Sequence, residues 1–323
     1  MINENMKIVL LYPPISRMER YSSVIGEAGS QQIPLGIYYL ASYLRENGVD
    51  VRVTDSEVEN LTEDEIIKRI ETFSPQFVGV SSTTVAFHRA LEIARAIKKH
   101  FEHIKIILGG PHITSNVSHA MSYYEFDYGV LREGEITLLE LLKTLCDGGS
   151  IENVKGIAYR DDDCSLRVTS PREYISDLDI LPFPAYDLVK DIMLHAPPPS
   201  NYKALPVVNM ITSRGCPSQC TFCDRNVFGR KYRERSAENV FAEVKFLIKR
   251  YNVKEIVFVD DTFLINKQRL YKIFDLLERE KIYFHWTCMS RINDVDYEFL
   301  RFIKAKGCWH ISFGIESGDD EIL

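Results

Sequence analysis

The chain has 323 residues, 45% of them apolar and 26% charged, with a net charge of −7 and a pI near 5.7. That balance is ordinary soluble protein with material for about two cores. No block of like charge reads as a nucleic-acid or membrane patch, and no run of about 18 apolar residues could span a bilayer. Residues 1–13 are expected to lead into a strand rather than a signal peptide. Seven scattered cysteines make a poor disulfide framework, so a reducing, cytoplasmic setting is expected.

Residues 7–13 read as a buried strand ending at Pro13-Pro14, a continuous apolar run of the kind that parallel sheets bury on both faces. Residues 15–33 read as a long polar loop containing Gly26 and Gly29. Pro34 opens a helix in which Ile37, Leu40, Ala41 and Leu44 share a face, and Asn47-Gly48 ends it. Residues 49–54 form a second strand. A capping box from Thr62 to Glu65 leads to Ile66, Ile67, Ile70 and Phe73. Residues 77–81 are a third strand, and its helix carries Phe87, Ala90, Leu91, Ala94 and Ile97. Residues 104–108 are a fourth, ending in Gly109-Gly110-Pro111-His112, and residues 128–131 a fifth, followed by a helix lined by Leu138, Leu141, Leu142 and Leu145.

This alternation predicts an α/β fold over residues 1–150: a flavodoxin-like, doubly wound, five-stranded parallel sheet of order 2-1-3-4-5. Ligands in such sheets bind beyond the carboxyl strand ends, at the switch between strands one and three. The loops there carry Pro13, Ser81, Ser82, Thr83, Thr84, Gly109, Gly110 and His112. Hydroxyls, free amides and close-approach glycines suit a large ligand with amide and phosphate groups. They suit ordinary turns and N-caps as well, and His112 suits a loop hydrogen-bonder as well as a ligand. The chain has no GxGxxG, which disfavours a Rossmann dinucleotide site.

Residues 151–205 read as a linker. It holds a small hairpin around Asp161-Asp162-Asp163, an extended tether with Pro182 and Pro184, and an exposed turn at Pro197-Pro198-Pro199. Residues 206–323 then repeat strand and helix, with strands at 207–212, 255–260, 283–289 and 309–314. This predicts a (β/α) partial barrel, truncated at its C-terminus because no closing element follows Leu323. Barrel chemistry sits at the carboxyl strand ends, here the cysteine loop, Asp260-Asp261, Ser290-Arg291 and Glu316-Ser317.

Cys216, Cys220 and Cys223 follow the apolar run 207–211 at spacings of four and three. Three thiols are one ligand short of a closed site. A cubane iron–sulfur cluster held by three thiolates leaves one iron open to something else. Zinc usually takes four ligands, for which His285, Cys288 or Cys308 would be a distant fourth. A third reading leaves the cysteines unconnected.

Cys-x-x-x-Cys-x-x-Cys with Phe222 before the last cysteine, after a first barrel strand, resembles the signature of the radical S-adenosylmethionine (SAM) superfamily. Residues 34–44, Gly109 to His112, Glu133-Gly134-Glu135 and the segment 177–188 are similar to its cobalamin-binding members. The resemblance implies a 4Fe–4S cluster on Cys216, Cys220 and Cys223, SAM on the open iron, and cleavage of SAM to a 5′-deoxyadenosyl radical. It implies cobalamin held at Pro13, Ser81, Ser82, Thr83, Thr84, Gly109, Gly110, His112, Glu133 and Gly134. For SAM it implies Phe222 near the adenine, Asp260 and Asp261 at the amino group, and Ser290 and Arg291 at the carboxylate. Glu316, with Ser317 and Gly318 of Gly-Ile-Glu-Ser-Gly, would meet the ribose or methionyl end.

Two positions depart from related patterns. The Asp-x-His-x-x-Gly motif of methionine-synthase-type domains is replaced by Asp55-Ser56-Glu57-Val58-Glu59-Asn60, so cobalamin would be bound without a histidine lower ligand. Arg132 stands where the family often has glycine. The implied reaction is methylation of an unactivated carbon or phosphorus centre of a small molecule, with an electron donor such as flavodoxin or ferredoxin and neither nucleic acid nor membrane as partner. The alternatives are a cobalamin-linked cyclisation or oxidation of the anaerobic tetrapyrrole type and a non-catalytic corrinoid-binding protein. An RNA methylthiotransferase is disfavoured by the acidic charge and by the lack of cysteines before Cys146.

Overall fold

A computed structural model describes residues 6–16, 18–19, 32–319 and 321–322, so most of the loop expected at 15–33 lies outside the described residues. The chain forms two compact units: residues 1–175 with 181–190 and 221–228, and residues 176–180 with 191–220 and 229–323.

In the first unit, β1 (Lys7–Tyr12) is flanked by β2 (Asp50–Asp55) and β3 (Phe77–Ser81), followed by β4 (Lys105–Gly109) and β5 (Tyr128–Val130), all parallel. The order 2-1-3-4-5 places the switch at β1 and β3. The longer helices are α1 (Leu35–Glu46), α2 (Glu63–Phe73), α3 (Phe87–His100) and α4 (Glu135–Asp147). Val9, Leu11, Val78, Val80, Ile106 and Leu108 join Ile66, Ile70, Ala90, Ala94 and Ile97 in one core cluster. Ile8, Leu10 and Ile107 are buried too, which is why the strands read as unbroken apolar runs. Each such side chain contributes about 1.5–3 kcal/mol on full burial. Thr62 and Glu65 form the expected capping box of α2.

The hairpin expected in the linker belongs instead to this sheet. β6 (Ile157–Arg160) pairs antiparallel with β5, and β7 (Leu166–Val168) with β6, giving seven strands. β5 has three residues, and without β6 its outer edge would present unpaired amides. Part of the tether also belongs here: Ala185 N donates to Tyr38 O of α1 at 3.0 Å, and Arg45 pairs with Asp187 at 2.8 Å.

In the second unit, β8 (Val207–Met210), β11 (Glu255–Phe258), β12 (His285–Ser290) and β13 (Cys308–Phe313) form a parallel sheet of order β13-β12-β11-β8. Between them run α5 (Ala237–Tyr251), α6 (Lys267–Arg279) and α7 (Tyr297–Ala305). Ser236, Asn266 and Asp296 cap these helices by accepting from Asn239 N, Arg269 N and Phe299 N. Phe258 and Phe263 stack at 4.1 Å, with Trp286 edge-on to both. β9 (Ser213–Arg214) and β10 (Arg233–Glu234) pair antiparallel as a short ribbon between β8 and α5. Among the described residues no helix is long and apolar enough to cross a membrane.

Candidate cluster and cofactor sites

The cysteine loop springs from the β9–β10 ribbon, at the carboxyl end of β8. Cys216 N donates to Gly229 O at 3.4 Å, which narrows the loop above the ribbon. Cys216 and Cys220 are half-buried and Cys223 is exposed, and none of the three is in a disulfide. Residues 221–228, with Phe222 and Cys223, group with the first unit. Within it Asp224 accepts from Ser115 Oγ, and Asn226 O accepts from Tyr174 Oη at 3.3 Å. The Ser115 hydroxyl and the Asn226 amide hold the Asp224 carboxyl below the usual carboxylate range. Phe222 is 70% exposed, its ring available to a ligand rather than to a core.

The two aspartates after β11 have different surroundings. Asp260 is fully buried. It accepts from Thr212 N at 3.0 and 3.1 Å, Thr212 Oγ1 at 2.7 Å and Ser213 Oγ at 2.5 Å, tying β11 to the root of the cysteine loop. Burial raises its pKa against the opposing pull of Arg269 and these donors. Asp261 is open to solvent at its surface. Dense protein behind it, and then the neighbouring Asp260, push its carboxyl up. Solvent contact makes Asp261 the member of the pair that can meet a ligand.

Ser290 is buried and donates to Asp294 Oδ2 at 2.9 Å, an oxygen that also accepts from Thr262 Oγ1 at 2.8 Å and Arg291 N at 3.2 Å. Its hydroxyl therefore sets the turn after β12. Arg291 is exposed and donates from Nη1 to Ser218 Oγ, inside the cysteine loop, at 3.0 Å. Glu316 has a left-handed backbone, φ 62°, and its carboxylate folds back over Gly314, where an added Cβ would stand 2.7 Å from Oε1. Left-handed backbone at a non-glycine residue collects at ligand sites. Half-buried Ser317 and exposed Gly318 continue this turn, with Ser317 Oγ accepting from Asp319 N at 3.0 Å.

In the first unit the switch-point loops are stitched together. Pro13 is buried at the end of β1. Ser82 N donates to Gly109 O at 3.0 Å, and His112 N to Ser82 O at 3.1 Å. Ser82 is fully buried and donates its hydroxyl to Thr83 O, while Ser81 and Thr83 are half-buried. Gly110 has φ 95°, and a Cβ there would lie 2.8 Å from Ser82 O. Only glycine fits that turn. A Cβ on Gly109 would meet nothing within 4 Å, so open space lies over the β4 end.

His112 is buried and both ring nitrogens are engaged, Nδ1 with Thr84 Oγ1 at 3.2 Å and Nε2 with His119 Nδ1 at 3.1 Å. Burial, then the nearby His119, lowers its pKa. Glu133 accepts from Ile175 N at 2.8 Å, so its carboxylate holds the chain leaving the sheet. Gly134 starts α4 under Leu40, whose Cδ2 would stand 3.1 Å from a Cβ. Arg132 has φ 63°, a conformation glycine adopts freely. Its amide donates to Thr114 Oγ1 at 2.9 Å, and its guanidinium lies 5.2 Å from the Tyr174 ring.

These surroundings fit the groups the cysteine pattern implies. Among the described residues no three His, Cys, Asp or Glu side chains gather into a cage for a single ion. Zinc needs its donors within about 2.3 Å of one point, whereas a cubane spreads three thiolates over three irons. Uncrosslinked soft donors on one loop suit the latter. Open space over Gly109 suits a flat macrocycle, and both ring nitrogens of His112 are engaged within the protein.

Sequence reasoning missed the support of the loop: Thr212 and Ser213 below it, Arg269 and Glu234 beside it, and Asp294 behind Ser290. The signal for Arg269 was its place in the first turn of a helix, where the macrodipole disfavours a cation.

A doubly wound unit with open space at its switch-point edge and a parallel sheet with a three-cysteine loop after its first strand are the combination of the radical SAM class. Residues 21–142 match the B12 binding domain model and residues 210–323 the Radical SAM superfamily model. An uncharacterized methyltransferase of Pyrococcus horikoshii is 37% identical, covering 98% of this chain and 67% of its own. The anaerobic magnesium-protoporphyrin IX monomethyl ester cyclase of Rubrivivax gelatinosus is 27% identical over 97% of this chain and 56% of its own. The fold is that of the cobalamin-dependent SAM radical enzyme OxsB, with a TM-score of 0.82 at 23% identity, covering 99% of this chain and 45% of that one. The chain thus spans from under half to about two thirds of these proteins. It belongs to the radical SAM proteins that carry a B12-binding domain, and that family implies SAM, a 4Fe–4S cluster and cobalamin as cofactors.

Proposed function

We propose that the chain carries out cobalamin-linked radical SAM chemistry, methylating an unactivated position of a small-molecule substrate in the cytoplasm with an electron donor of the flavodoxin or ferredoxin kind. The observation that carries this reading is the loop of three cysteines outside any disulfide, rooted at the end of β8, in a chain whose other unit has open space at its switch-point edge. When bound, the cluster would supply one electron to the SAM sulfonium and the corrinoid a transferable methyl group.

The residues have separate tasks. Cys216, Cys220 and Cys223 would hold the cluster as thiolates, and its uncoordinated iron would be open to SAM. Asp261 would accept from the N–H of the SAM amino group, and Arg291 would pair with its carboxylate through the planar fork. Phe222 offers a face to the adenine, and Glu316, Ser317 and Gly318 meet the ribose or methionyl end. Asp260 and Ser290 act behind these, fixing the backbone. On the corrinoid side Pro13, Ser81, Thr83, Thr84 and Gly109 line the site, while Ser82, Gly110, His112, Glu133 and Gly134 shape it.

Anaerobic reconstitution should give about four irons and four sulfides per chain, corrin absorbance, and 5′-deoxyadenosine on reduction with SAM. Zinc in place of iron would remove the radical reading, and iron without corrin would remove methyl transfer. The cyclase relative supports a second reading, oxidative ring closure with the same cofactors. Product analysis with labelled SAM separates the two, because only methylation moves the SAM methyl carbon into product.

A further inference from the structure

Arg269 is almost fully buried, in the first turn of α6, where the helix dipole works against a cation. Its donors reach both ends of the cysteine loop. Nη1 donates to Thr212 O at 3.0 Å on the way in and to Arg235 O at 3.2 Å on the way out. Nη2 donates to Thr212 Oγ1 at 3.0 Å, and Nε faces Glu234 Oε2 at 3.3 Å. Glu234 is fixed in turn by Asn266 Nδ2 at 2.7 Å, the residue that caps α6.

The two ends also meet directly, Arg235 N donating to Thr212 O at 2.9 Å, and Asp260 takes the remaining Thr212 donors. Thr212 is thus the point where strand, loop and helix are joined. β9 and β10 are two residues each and pair only with one another, and so short a ribbon does not hold itself closed. A planar fork can serve two carbonyls, a hydroxyl and a carboxylate together; an ammonium cannot.

We propose that Arg269 closes the neck of the cysteine loop, a positioning residue that holds Cys216 and Cys220 in register for the cluster through Thr212, Glu234 and Arg235. This rests on the reading that the loop binds a cluster. The partners of Arg269 named here are all protein groups; it acts by joining residues 212 and 235, between which all three cysteines lie.

The test uses the full chain, with Arg269→Lys keeping the charge and losing the fork, and Thr212→Val and Thr212→Ser removing and restoring the hydroxyl. Hydrogen exchange on the cluster-free protein reads the neck directly. Arg269→Lys and Thr212→Val should lower protection of the Arg235 amide about tenfold or more, while amides of β11 and β12 keep theirs. Thr212→Ser should match the parent. After reconstitution both weakened variants should hold less than half the parent's iron, with an altered electron paramagnetic resonance spectrum of the reduced cluster. Unchanged Arg235 protection together with full iron in Arg269→Lys overturns the proposal. If Arg269→Lys unfolds globally, the threonine pair decides, and a Thr212→Val neck as protected as that of Thr212→Ser overturns it. A parent chain that takes no iron while its Arg269→Lys variant loosens the neck defeats the cluster reading and leaves the neck assignment standing.

Discussion

Arg291 Nη1 donates to Ser218 Oγ at 3.0 Å, linking the turn after β12 to the loop that carries the thiols. The guanidinium is exposed, so its other donors can take a carboxylate in the bidentate geometry arginine favours. Replacing Arg291 by Lys should weaken SAM binding about 10–100-fold, the range expected for losing a charge-assisted hydrogen bond. Iron content should not change. Equilibrium titration of the reconstituted chain with SAM measures this, and unaltered affinity removes Arg291 from the SAM site.

The adjacent aspartates should separate into stability and binding. Asp260→Asn disturbs a buried carboxylate that accepts from Thr212 and Ser213, beside the buried Arg269, and should cost about 3 kcal/mol or more by urea denaturation. Asp261→Asn should stay within about 0.5 kcal/mol of the parent and weaken SAM about tenfold or more. Equal stability losses in the two variants would contradict the division of roles.

The two glycines after β4 make a similar pair. Gly110→Ala places a methyl 2.8 Å from Ser82 O on a left-handed backbone and should cost about 1–3 kcal/mol. Gly109→Ala meets no protein atom, so the fold should keep its stability while corrin uptake falls. Corrin absorbance after reconstitution, set beside the unfolding midpoint, distinguishes them. Full corrin in Gly109→Ala would move the macrocycle away from this edge.

Glu59 gives a pH dependence with a definite sign. Burial alone would raise its pKa, but hydrogen bonds and ion pairs with Arg69 at 2.9 Å and Lys190 at 3.0 Å outweigh it, and the folded value is lowered. A depressed folded pKa means stability present above the unfolded value, about 4.3, and lost as pH falls through the folded one. The parent should therefore unfold at higher urea than Glu59→Gln at pH 7, and the gap should close as pH drops below about 4. A gap constant from pH 7 to 3 would show that the pairs contribute nothing through charge.

Most of the β/α order was legible because buried parallel strands are unbroken apolar runs, and Val9 to Leu11 or Ile106 to Leu108 could be little else. The hairpin was legible as a hairpin but not as part of the sheet, since pairing of β6 with β5 depends on which edge folding leaves open. The cysteines announced themselves by spacing. Which of Asp260 and Asp261 faces inward did not, because one residue of strand pleat decides it. Arg132 looked like an exception to a glycine position, and its φ of 63° explains why glycine suits that position. Arg269 belongs to no short motif, and its partners lie 34 and 57 residues away in the chain.

That separation has a consequence for synthesis. Arg269 follows Cys223 by 46 residues, and at about 5–20 residues per second it leaves the ribosome roughly 2–9 s after the last thiol of the loop. Asp260 emerges nine residues earlier, so Thr212 gains its carboxylate partner first and only then the guanidinium that joins it to Arg235. On this order the neck closes last, after the thiols, β11 and the first turn of α6 have all been made.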